Sequence, residues 1–159
     1  MTMKNVSLIT QFITNKHSLI IQTTSKGYSM EPLIKHGAKV VLKLNYSQEY
    51  KVGDIVAFKK NNQIILHRLM AIKKKYVITK GDNKLDYDNQ VDIKKLMGKA
   101  IKIIYPSHTI FLENNRSRFF VFILTWYSRL NHHFPNLLKI KNLYKYPFLK
   151  HLYRKLISS

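Results

Sequence analysis

The sequence predicts a mainly β fold, a small coiled barrel or sandwich, followed by a basic helical appendage. Short apolar or β-branched runs recur through residues 26–112, at 39–44, 55–58, 64–66, 76–78 and 100–104. Turn formers punctuate them, at Gly53-Asp54, Asn61-Asn62, Gly81-Asp82-Asn83 and Pro106. Many short strands within fewer than a hundred residues point to a β architecture rather than an α/β one. The pattern then changes. From about Arg116, Leu138, Tyr144, Phe148, Leu152 and Leu156 mark an apolar stripe with Lys and Arg between, divided into pieces by Pro135 and Pro147.

Three segments follow from these patterns. Residues 1–25 carry Leu8, Ile9, Phe12 and Ile13 at helical spacing and predict a short amphipathic helix. Residues 26–112 form the β domain. Residues 113–159 form the basic helical tail.

At 159 residues with 45% hydrophobic content, the chain suits one domain with an appendage and has enough apolar material for a core. Lys and Arg number 28 against 8 acidic residues, a net charge of +20. A field of that size attracts nucleic acid, anionic lipid or acidic partners and says nothing about fold. Its distribution is more telling. No acid occurs from Asn114 to Ser159, whereas Asp82, Asp86, Asp88 and Asp92 place half of the acidic residues in one short stretch. The absence of cysteine excludes disulfides, thiolate chemistry and cysteine-based zinc sites. Residues 1–25 show no secretory signal. The most apolar run, 119–128, is half of the ~20 residues that a spanning helix needs.

Three places carry chemistry. They are Gly27-Tyr28-Ser29-Met30-Glu31-Pro32, Ile65-Leu66-His67-Arg68-Leu69, and Thr79-Lys80-Gly81-Asp82-Asn83 with Asp86 and Asp88 beyond it. A serine hydroxyl near its free pKa is a poor nucleophile. It needs a base to take its proton, and that base needs an orienting group. A Ser, a His and an Asp-rich turn on successive pieces of one β domain supply those ingredients. Each also has an ordinary reading: a turn serine, a backbone-bonded strand histidine, and a polar hairpin turn. Asp82 fits the turn at least as well as catalysis, and Asp92 reads as solvated surface. His132-His133 invites a metal reading, but adjacent residues on a helix face different ways.

In order and spacing, the Ser29-Met30-Glu31-Pro32 run, Gly53-Asp54-Ile55-Val56-Ala57-Phe58, His67-Arg68, Thr79-Lys80-Gly81-Asp82-Asn83 and the run around Gly98 resemble the motif series of signal peptidase I and LexA-like serine peptidases. The resemblance covers residues 27–104. It implies that Ser29 is the nucleophile and that His67 stands at the base position. Bacterial signal peptidases and LexA-like peptidases place a Lys there, so His67 resembles the archaeal and endoplasmic-reticulum branch. The motif-matched acid is Asp88, with Asp86 and Asp82 as rivals. Gly27 replaces a serine often found two residues before the nucleophile, so an oxyanion hole would lean on backbone N–H groups, that of Ser29 first.

The resemblance therefore implies a serine endopeptidase acting on a peptide or precursor protein, cleaving a signal or leader peptide after small residues, without metal or organic cofactor. The acid-free tail, with Phe119, Phe120, Phe122, Trp126, Tyr127 and Phe134 beside its Lys and Arg, is expected to hold the protein peripherally on an anionic membrane surface. The alternative location is cytoplasmic. No nucleic-acid-binding motif is read in it. The rival function is a non-catalytic or self-processing LexA-like regulator that binds nucleic acid through its basic surface. Such a repressor is expected to carry a helix-turn-helix ahead of the peptidase domain, for which the residues before Gly27 are too few.

Overall fold

The run Ile55-Val56-Ala57-Phe58 explains how the sheet is built. Continuous apolar sequence, rather than strict alternation, suits a strand covered on both faces. In the computed structural model of the chain, which describes residues 19–44, 49–60, 63–113, 123, 125, 126 and 129, this run is buried throughout. Its alternate side chains enter two cores. Ile55 and Ala57 join Met30, Leu33, Ile34, Val40, Leu42 and Ile103 in one. Val56 and Phe58 join Leu69, Val77 and Leu96 in the other.

Eight antiparallel strands make one open sheet: β1 (Leu19–Thr24), β2 (Lys39–Leu44), β3 (Ile55–Lys60), β4 (Gln63–Ile72), β5 (Tyr76–Lys80), β6 (Val91–Asp92), β7 (Leu96–Ile104) and β8 (Thr109–Phe111). Their order is β1-β2-β7-β3-β4-β5-β6, with β8 added to β7. The mainly β expectation holds. The helix expected over residues 1–25 does not extend to the end of that segment, because Leu19–Thr24 is a strand. Leu19 and Ile21 pack on the larger core while Ile20 faces solvent. That period of two defines a strand with one covered face. Leu8, Ile9, Phe12 and Ile13 lie outside the described residues, as do His132, His133 and nearly all of the tail. Ile123, Thr125, Trp126 and Arg129 are helical.

β7 is the structural spine, pairing with β2, β3 and β8. At Gly98 the neighbouring strand approaches so closely that an added Cβ would sit 2.6 Å from Leu44 Cα. Any side chain there would force β2 away. β4 bends between two partners. Its first half, Gln63–Arg68, pairs with β3, and Arg68–Ile72 pairs with β5 across a bulge. The far edge of Gln63–His67 therefore pairs with no described strand, and the same is true of the outer edge of β1.

The segment between β1 and β2 is anchored from below. Ser25 N–H donates to Ala38 O (2.9 Å) and Gly37 N–H to Ser25 O (2.9 Å), closing its neck. Met30, Leu33 and Ile34 are buried beneath it, each contributing on the order of 1.5–3 kcal/mol by leaving water. Tyr105, just beyond β7, donates its hydroxyl to Leu33 O at 2.6 Å and accepts from Lys35 N–H at 3.2 Å.

Candidate active site

Ser29 stands on that anchored segment. Burial of Met30 and the Ile34 N–H to Met30 O bond (2.9 Å) hold the turn that begins there. His67 comes from β4, in register with Val56 of β3. It is only 3% exposed, with Phe58 presenting an edge to its ring at 6.2 Å between centroids. Asp88 follows the turn after β5, and its N–H donates to Thr79 O at 2.8 Å.

The structure brings these three side chains into one chain of contacts. His67 Nε2 lies 3.1 Å from Ser29 Oγ. His67 Nδ1 is hydrogen-bonded to Asp88 Oδ2. Thr79 Oγ1–H also donates to Asp88 Oδ2, at 2.8 Å, and Lys84 Nζ lies 3.4 Å from Asp88 Oδ1. Burial pushes the Asp88 carboxyl up, but the hydrogen bond and charge of His67, the Thr79 hydroxyl and Lys84 outweigh it and hold it below the ordinary carboxylate range. A carboxylate at this position accepts the Nδ1 proton. That leaves the Nε2 lone pair facing the serine, so Ser29 O–H donates to it.

The rival acids are placed elsewhere. Asp82 takes both its oxygens to Arg68, receiving Nε–H at 2.7 Å and Nη2–H at 2.6 Å. The third branch of Arg68 donates to Gly53 O at 2.8 Å, and the guanidinium is fully buried. Asp82 therefore contacts Arg68 and not His67. It belongs to the turn role that the sequence also allowed. Asp86 is exposed, and its charge acts with that of Asp82 on Lys80. Burial of Lys80 pushes its ammonium below the usual range, and those two carboxylates partly offset the shift.

Three further residues shape the site. Asn83 N–H donates to Ser29 O at 2.8 Å, and its side-chain amide donates to Tyr28 O at 3.1 Å. Gly81 presses on the same place: an added Cβ would sit 2.6 Å from Ser29 O and 3.1 Å from Ser29 Cβ. Thr79 completes the set of donors around the Asp88 carboxylate. All three stand in the run 79–83, which the sequence marked, but their separate tasks depend on which loop faces it. Sequence spacing carries no signal for that.

The serine and histidine open onto a cleft of about 650 Å³, bordered by Thr23, Thr24 and Ser25 on one side and Gln63–His67 on the other. Both borders are strand edges that no described strand covers, and an extended peptide can add to such edges through main-chain hydrogen bonds. Among the described residues no group of three or more His, Asp or Glu could hold a metal. None of their helices is long and apolar enough to cross a membrane.

No curated protein matches the chain. Residues 3–103 match the family described as Peptidase S24-like, a stretch that contains Ser29, His67 and Asp88. With most of its length in that match and a mainly β domain beneath it, the chain belongs to the Peptidase S24-like family.

Proposed function

We propose that the protein is a serine endopeptidase of the His-using signal peptidase type, removing a signal or leader peptide from an exported or membrane-proximal substrate. The observation that carries this reading is the continuous contact from Ser29 through His67 to Asp88 at the floor of an open cleft. In the proposed reaction His67 Nε2 takes the Ser29 proton as Oγ attacks the scissile carbonyl carbon. The imidazolium then gives that proton to the leaving amine, and an acyl-enzyme remains. A water, deprotonated by the same imidazole, releases the acyl group and restores Ser29. Asp88 holds the ring in the required tautomer and stabilises its charged form. The Ser29 N–H, which donates to no described group, is the first candidate to face the developing oxyanion. The tail beyond 113 is assigned to peripheral attachment on anionic lipid.

The test is cleavage of a precursor peptide with small residues before the scissile bond. Ser29→Ala and His67→Ala should each abolish turnover while the protein remains folded. Unchanged turnover in either variant would refute the assignment. The net charge of +20 favours a second reading, a self-processing LexA-like regulator. It predicts Ser29-dependent cleavage of the chain itself, at a rate independent of protein concentration, with no cleavage of peptides in trans.

A further inference from the structure

The cleft beside Ser29 and the cavity on the Gly53–Asp54 side differ in how their charges are matched. In that second cavity, of about 610 Å³, cations meet acids: Lys99 lies 3.9 Å from Asp54 and 3.3 Å from Glu113. The cleft beside Ser29 is lined by Lys26, Lys60 and Lys84, and its one acidic lining residue is Asp88. Both oxygens of Asp88 are already engaged, Oδ2 by His67 and Thr79 and Oδ1 by Lys84. Lys26 and Lys60 are exposed and have no ion-pair partner among the described residues. A concave site lined by one sign of charge concentrates ligands of the other sign, and the chain's +20 charge adds to that field.

The positions of these lysines relate them to the cleaved bond. Lys84 reaches Asp88, the partner of His67, and Lys26, three residues before Ser29, lines the same cleft as the serine, so both are taken to act near the bond. Lys60 is in register with Gln63, at the end of β4 remote from His67. Four residues separate Gln63 from His67, roughly 13 Å at about 3.3 Å per strand residue. A substrate strand running along β4 has the same rise, and so brings a side chain to Lys60 about four residues from the bond.

Resting on the peptidase reading, we infer that this cleft selects peptides carrying Asp or Glu within about four residues of the cleaved bond, with Lys26, Lys60 and Lys84 as the determinants of that choice. Exposed ion pairs of this kind are individually weak, so each should change specificity about two- to fivefold. Their effect on association should fade as salt screens them.

The experiment uses the full chain and a randomised decapeptide library, with products read by mass spectrometry. The best-cleaved sequence is then synthesised with Glu, Gln or Lys at each of the four positions on either side of the bond. The expected result is a kcat/KM higher for Glu than for Gln by about two- to fivefold per engaged lysine, with Lys lowest. The Glu-to-Gln ratio should fall in Lys26→Gln and in Lys60→Gln, and should approach one at high salt. Ser29-dependent cleavage with equal Glu and Gln rates overturns the inference and leaves the peptidase reading intact. If no peptide is cleaved the peptidase reading fails, and fluorescence anisotropy of Glu-rich and Gln-rich decapeptide pools on the Ser29→Ala chain decides charge selection by itself. Tighter binding of the Glu-rich pool upholds it, and equal binding overturns it. Equal peptide binding combined with weaker attachment of Lys26→Gln and Lys60→Gln to vesicles of anionic lipid assigns these cations to a membrane surface and also overturns it.

Discussion

Replacing Asp88 by Asn keeps the size of the side chain and removes the charge that faces His67 Nδ1. The amide can turn its NH₂ toward that nitrogen, which then holds a lone pair, and the ring proton moves to Nε2, where it faces Ser29 and blocks proton transfer. A carboxylate-to-amide change of this kind in a Ser-His-Asp site lowers kcat by about 10⁴-fold. Asp82→Asn acts elsewhere. It removes the charge that pairs with two of the three nitrogens of a fully buried guanidinium, at 2.7 and 2.6 Å. Leaving one partner of a buried pair uncompensated costs about 3–5 kcal/mol, or roughly 10 °C or more in melting temperature for a domain of this size. The two variants should therefore separate. Asp88→Asn should retain most of the parent's melting temperature and lose turnover, whereas Asp82→Asn should lose stability first and keep turnover at temperatures where it is folded. Calorimetry and peptide cleavage on both variants decide the matter. Full turnover in Asp88→Asn, or loss of turnover in Asp82→Asn without a change in melting temperature, would refute the assignment of the two acids.

Two further outcomes follow from the same contacts. Because the folded-state pKa of Asp88 lies below its ordinary value of about 3.9, its ionised form adds stability that is fully present above that value and is lost as pH falls through the folded one. Urea unfolding at pH 7 and pH 2.5 should show the parent's margin over Asp88→Asn shrinking at the lower pH, and a constant margin would contradict the shift. Gly81→Ala should push the Ser29 backbone away, because its Cβ would sit 2.6 Å from Ser29 O; overpacking of this kind costs about 1–3 kcal/mol, and an ångström of misplacement can cost about 10²-fold in rate. Gly27→Ala is the control, since nothing lies within 4 Å of its added Cβ, and its melting temperature should match the parent's.

The strands that the sequence disclosed are those with a continuous apolar or β-branched stretch, and their lengths were the weak point. Ile64–Leu66 marks only the start of a strand that runs from Gln63 to Ile72, whose middle is polar because His67 and Arg68 have buried partners of their own. A buried arginine reads as an exposed one until its carboxylate is known. Leu19–Thr24 falls within the segment expected to be helical, since six residues with one half-covered face carry little periodic signal. The nucleophile and base candidates were legible from the ordered motifs. Residue type alone did not separate Asp82, Asp86 and Asp88, because an aspartate that closes a turn and one that orients an imidazole are the same side chain, and only the motif order pointed to Asp88.

The contacts of the segment from Thr79 to Asp88 show what residue type does not convey. Its first residue supplies both the carbonyl that accepts Asp88 N–H and the hydroxyl that donates to Asp88 Oδ2, so the acid is held by the strand that the turn leaves. Asp82 fastens the turn to Arg68, the residue after His67 on β4. Gly81 and Asn83 on either side of it press against and bond to the Ser29 backbone. A displacement of the turn therefore moves Asp88, the support of Ser29 and the strand of His67 together. Such coupling makes mutations here non-additive. Asp82→Asn combined with Gly81→Ala should cost less stability than the sum of the two alone, because with the Arg68 contact weakened the turn can yield to the collision of the added Cβ with Ser29.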